Sequence, residues 1–192
     1  MIGGGYVVIP VIGVLAILAW RARRRRVGRR ALLTSALVVV YVGWLVTLAF
    51  FPLPLPPWHE AAIPSVDYRG FPYPWVSPIP LLSIGQSIGL GIEWPYVRYL
   101  IGNVVAFVPI GLLVPVARPQ RHSVLMVVGV ALSASLAIES LQLALSLAIG
   151  YAYRVADVDD VILNIVGALI GYAIFRAAAA VARVGAVTWP PR

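Results

Sequence analysis

The chain has 192 residues, of which 61% are hydrophobic and 11% charged; fifteen arginines against seven acids give a formal charge of +8, and the mean hydropathy is +0.92. A soluble domain carries roughly 45–50% apolar and about 25% charged residues, and a globule of this size has no interior able to hide the excess. A soluble globule and an intrinsically disordered chain are both excluded, and a polytopic membrane protein remains. There is no cysteine, so disulfides, thiolate metal sites and cysteine nucleophiles are absent.

A membrane-crossing helix needs about 20 mostly apolar residues. Five stretches meet that length: Ile2–Trp20, Ala31–Phe51, Tyr96–Ala117, Ser123–Ile149 and Val161 to about Val184. Their apolar runs are continuous rather than alternating, which disfavours a barrel. The expected fold is therefore an all-α polytopic membrane protein, a bundle of about five transmembrane helices with a Pro/aromatic-rich outer loop. Pro10 and Pro109 are tolerable inside such helices and predict kinks.

No basic residue precedes the first span, whereas Arg21, Arg23, Arg24, Arg25, Arg26, Arg29 and Arg30 follow it. A cleaved secretory leader has the reverse order, so this is read as a retained helix with its amino end outside. The bias of arginine toward cytoplasmic flanks sets the rest. Twelve arginines fall on the flanks this places inside, and three (Arg69, Arg98, Arg154) outside, while no acid is cytoplasmic. The expectation is a multi-pass protein of the cell membrane, amino terminus outside and carboxyl terminus cytoplasmic. The arginine run holds the first hairpin turn in the cytoplasm and can touch anionic lipid headgroups. No aromatic interleaving points to nucleic acid. The resulting division is 1–30 (first helix and Arg-rich turn), 31–51 (second helix), 52–95 (outer loop), 96–184 (core of three helices) and 185–192 (cytoplasmic tail).

The loop 52–95 holds ten of the sixteen prolines, a density that forbids regular helix through most of it. Trp58, Trp75, Trp94, Tyr68, Tyr73 and Tyr96 suit the headgroup level. The loop therefore reads as a cover lying on the outer leaflet or as a lid over a site. Leu81–Gly91 is apolar but too short to span, an interfacial or re-entrant segment. His59 has no second ligand at metal spacing and reads as a surface histidine.

The informative polar residues lie deeper. Glu139 stands inside the fourth span, and a charge near mid-membrane costs roughly 2.5–3.5 kcal/mol on insertion scales. Gln142 at i+3, Ser135 at i−4 and Ser146 at i+7 share its helix face, a stripe that must point into protein. Arg154, Asp157, Asp159 and Asp160 lead into the fifth span, where Asp160, Asn164, Gly167 and Gly171 follow at i, i+4, i+7 and i+11. Gly167 and Gly171 form a pair that permits close helix approach. Asn103 enters the membrane near the outer end of the third span, so Asn103, Arg154, Asp157, Asp160 and Asn164 can converge at the outer leaflet, with Glu139 and Gln142 below. A purely structural reading has the aspartates cap the fifth span, with Arg154 paired to one of them.

These residues resemble a family. Asn103-Val-Val-Ala-Phe107-Val-Pro109-Ile-Gly111, then Glu139-Ser-Leu-Gln142, then Arg154-x-x-Asp157-x-Asp159-Asp160-Val-Ile-Leu-Asn164-x-x-Gly167-Ala-x-x-Gly171-Tyr172, are similar in order and spacing to the VanZ-like family over about residues 71–176. The resemblance implies a small bacterial membrane protein. The family takes its name from a protein associated with resistance to the glycopeptide teicoplanin, and it implies no defined activity.

Three functions compete. The first is binding or handling of an envelope lipid or glycopeptide-type antibiotic at an outer-leaflet polar site formed by Glu139, Gln142, Arg154, Asp157, Asp160, Asn164 and Asn103. The second is an enzyme acting on a lipid-linked phosphate substrate, with Asp157, Asp159 and Asp160 around a hard cation and Glu139 as general base. The third is a structural or accessory subunit. The pattern assigns no catalytic residue, no resident metal and no cofactor. The partners expected are membrane lipids and a lipid-linked or glycopeptide ligand, with no nucleic acid; the sequence leaves the oligomeric state open.

Overall fold

Lipid offers no hydrogen bonds, so an apolar run in a membrane satisfies its own backbone by becoming helix. The computed structural model describes residues 3–25, 28–53, 75–89, 94–150 and 153–187. In chain order these form a one-turn 3-10 segment Gly4–Val7, α1 (Val8–Arg25), α2 (Arg29–Phe50), the two-residue strand β1 (Val76–Ser77), α3 (Leu82–Gly89), α4 (Trp94–Ala117), α5 (Val124–Ile149), β2 (Ala156–Asp157) and α6 (Val158–Val187). Five helical stretches are long and apolar enough to cross a membrane. The fold is all-α and that of a multi-pass membrane protein. Most of the reading of the outer loop, with Trp58, His59, Tyr68 and Tyr73, lies outside the described residues.

Several boundaries differ from the sequence expectation, the largest at α1, which runs on to Arg25, five residues past Trp20, so that Arg21–Arg25 are helical rather than loop. Pro10 falls in the first turn of α1, where its missing N–H costs nothing, rather than mid-span. α6 starts at Val158, three residues earlier than expected, so Asp159 and Asp160 occupy its first turn, where their charge meets the positive end of the helix dipole. α4 runs unbroken through Pro109 and Pro115. α5 stops at Gly150, whose φ of +89° only glycine adopts without strain; its N–H closes on the Ser146 carbonyl at 3.0 Å, the usual left-handed helix stop.

The chain divides into two compact units. The first comprises Met1–Pro80 and Leu136–Val158. In it α1 packs on α2, with the Val11 side chain laid over Gly43, and most apolar side chains of both helices face outward, as lipid contact requires. β1 and β2 pair in parallel, Val76 opposite Ala156 and Ser77 opposite Asp157. The second unit comprises Leu81–Ser135 and Asp159–Arg192. Its core holds Ala106, Phe107, Ile110, Val127, Ala131, Val161, Ala168 and Tyr172, all buried. There α4 and α6 approach backbone to backbone: Gly167 and Gly171 face the carbonyls of Val104 and Val108, and Gly111 faces Ala168 and Tyr172.

Candidate functional site

The polar stripe on α5 is buried along its whole length: Ser135, Glu139, Gln142 and Ser146 are each 8% exposed or less. Its members serve two bonded networks, one in each unit.

In the first unit the network answers a deficit at the end of α2. The last carbonyls of a helix have no partner within it, and in a membrane nothing else supplies one. Here the residue that would donate to the Phe50 carbonyl is Pro54, which has no N–H. Gln142 Nε2 donates to the Ala49 carbonyl at 2.9 Å. The Tyr153 hydroxyl is shared between the carbonyls of Phe50 at 2.8 Å and Pro52 at 2.6 Å. Ser146 then clamps the next residue on both sides, its hydroxyl donating to the Arg154 carbonyl at 2.8 Å and accepting the Arg154 N–H at 3.1 Å. Glu139 accepts the backbone N–H of Asp157 at 2.9 Å, which fixes β2 and, through the strand pair, β1. Ala156 also donates to the Trp75 carbonyl at 3.1 Å.

Arg154 is therefore held by its backbone on both sides. Its guanidinium lies over the Tyr153 ring, 5.6 Å from the centroid, a cation–π contact. Its Nε is buried without a hydrogen-bond partner among the described residues.

In the second unit Asp160 accepts from the Tyr99 hydroxyl and, at 2.7 Å, from Asn103 Nδ2. Asn164 donates to Ser135 Oγ at 2.8 Å, and its Oδ1 is buried with no partner among the described residues. Asp159, fully buried, caps α3: its carboxylate accepts the N–H of Leu81 and, at 3.0 Å, that of Ile84. Leu81 has φ +64°, a conformation costing roughly 1–2 kcal/mol in a non-glycine residue, and the carboxylate holds it there. Asp159→Ala is expected to cost about 1–3 kcal/mol, the range for stranding buried N–H donors. It should also speed amide exchange selectively over residues 81–85. Uniform exchange across α3 and α6 alike would show the cap to be unimportant.

The seven candidate binding residues thus fall into two sets. Glu139, Gln142, Arg154 and Asp157 belong to the first network, Asp157 through its backbone, and Asn103, Asp160 and Asn164 to the second. Among the described residues no three histidine or acidic side chains stand close enough to hold a metal ion. Sequence reasoning passes over Tyr153, Tyr99 and the target of Asp159. For Tyr153 a signal exists: prolines 52 and 54 strand carbonyls at the end of α2, and a donor has to come from elsewhere.

A family model described as VanZ/LLP1 matches residues 38–180, from within α2 to within α6. The chain belongs to the VanZ/LLP1 family. The match reaches further toward the amino terminus than the motifs alone, taking in the part of α2 whose carbonyls Gln142 and Tyr153 satisfy. The VanZ/LLP1 region thus includes both networks and leaves out α1 and the arginine turn. No curated protein and no solved structure matches the chain.

Proposed function

We propose that this VanZ/LLP1 protein binds the anionic headgroup of an envelope lipid, or a glycopeptide-type antibiotic, at the outer leaflet, with Arg154 as the side chain that meets the anion. The observation that carries this reading is the buried, unpartnered Nε of Arg154 on a backbone clamped by Ser146. An arginine fork is suited to phosphate or carboxylate oxygens, and a held backbone lowers the ordering cost of binding. The arginine count between spans favours the outer side for residues 153–157. In this reading Glu139 is a positioning residue. It receives a main-chain N–H and holds the strand that follows Arg154.

The test is a host lacking its own copy, in which the wild-type gene changes glycopeptide sensitivity or another envelope phenotype. Arg154→Gln should express and melt close to wild type yet abolish that change, and Arg154→Lys should retain part of it, since charge survives and the fork does not. A stable Arg154→Gln variant with the full phenotype would overturn the reading and favour the structural-subunit role.

A further inference from the structure

The described residues carry one strongly charged patch that neither network uses. Arg21, Arg23, Arg24 and Arg25 at the end of α1, and Arg29 and Arg30 at the start of α2, are all exposed. The chain has no acidic residue before Glu60, so neither helix carries a carboxylate to neutralise them. The depth of the patch follows from its neighbours. Ile17 and Leu33 are exposed apolar side chains on the same two helices, 56% and 64% accessible. Each lies one turn from an arginine, Ile17 from Arg21 and Leu33 from Arg29, a rise of about 6 Å. With those side chains in acyl chains, Arg21 and Arg29 stand at the phosphate level, and Arg24 and Arg25, about two turns beyond Ile17, reach the outer part of the headgroup layer. Arg24 stacks over Trp20, 4.4 Å from the ring centroid, and tryptophan is the residue that settles at that boundary.

We infer that the arginine-bearing end of the α1–α2 hairpin is a binding surface for anionic phospholipids, taking their phosphodiester groups on bidentate guanidinium contacts. The surface lies outside the family match and shares no residue with the Arg154 site, so the two proposals stand or fall separately. A nucleic acid would meet the same charge, but the Trp20 ring stacked under Arg24 suits a lipid boundary.

The full chain in nanodiscs of equal phosphatidylglycerol and phosphatidylcholine tests this, with native mass spectrometry counting the lipids retained on release. Both leaflets are identical, so an inverted insertion does not alter the reading. Each basic residue near an anionic surface is worth about fivefold in affinity. Replacing Arg24, Arg25, Arg29 and Arg30 together by Gln should therefore cut the phosphatidylglycerol preference at least tenfold, and the same four changed to Lys should keep most of it. Arg154 stays in place throughout, so its site cannot account for a loss. If the Gln variant fails to fold, the wild type still decides: its preference should fall steeply between low and high salt, as exposed charge is screened. Equal retention of both lipids by wild type, a salt-independent preference, an unchanged Gln variant, or short RNA binding in phosphatidylcholine-only discs that rivals the lipid preference would each overturn the inference.

Discussion

Gly167→Leu is expected to lower the unfolding free energy by about 3 kcal/mol or more, at or beyond the top of the range for overpacking. The reason is the nature of the neighbour. A Cβ at position 167 would fall within 3.0 Å of the Val104 carbonyl oxygen and carbon, which are backbone and cannot rotate aside. Helices in lipid gain little from hydrophobic association and depend on close van der Waals approach, so a wedge between α4 and α6 removes what holds them. Gly167→Ala should have the same sign with a smaller magnitude. Gly129 has nothing within 4 Å of its Cβ position, so Gly129→Ala should be neutral, or stabilising by up to about 1 kcal/mol from helix propensity. Unfolding titrations in mixed micelles measure all three, and equal effects at 129 and 167 would refute the packing argument.

The second large effect is expected at Glu139. Glu139→Ala removes the acceptor of the Asp157 N–H and leaves it buried and unpaired, at a cost of about 1–3 kcal/mol, with a further cavity term. Glu139→Gln keeps an oxygen able to accept the same N–H, so a smaller loss, near 1 kcal/mol or less, is expected. Amide exchange at Ala156 and Asp157 should follow the same order. Function separates two roles for the carboxyl. If it positions Arg154, Gln retains the phenotype and Ala loses it together with protection of β2. A Gln variant that is stable, protected and inactive would mean that the acid itself carries a proton or touches the ligand.

The helical stretches were legible because lipid makes a continuous apolar run nearly synonymous with a helix, and the bounds moved by only a few residues. The burial of Ser135, Glu139, Gln142 and Ser146 was legible too, since spacings of four, three and four put them on one face of α5. The close approach at Gly167 and Gly171 is visible in their four-residue repeat, although nothing in it names Val104 and Val108 as the groups approached. What could not be read were the partners of the polar groups. Gln142, Tyr153, Ser146, Glu139 and Asp159 all bond to main-chain atoms, and a backbone carbonyl or N–H has no residue-type signature. Asp159 is the clearest case: its place at the start of α6 suggests a cap for that helix, and only the fold brings residues 81–84 to it.

That reliance on main-chain partners bears on how the protein can drift. Glu139 sees an N–H at position 157 and Ser146 sees the N–H and carbonyl of position 154, so these three bonds are indifferent to which side chains sit there. Proline is the exception, because it removes the donor. A one-residue deletion or insertion between 146 and 154 is another matter, because it presents both clamps with the wrong peptide unit at once. Apart from Arg154 and Asp157, the α5–α6 connection should accordingly vary in composition among relatives while keeping its length.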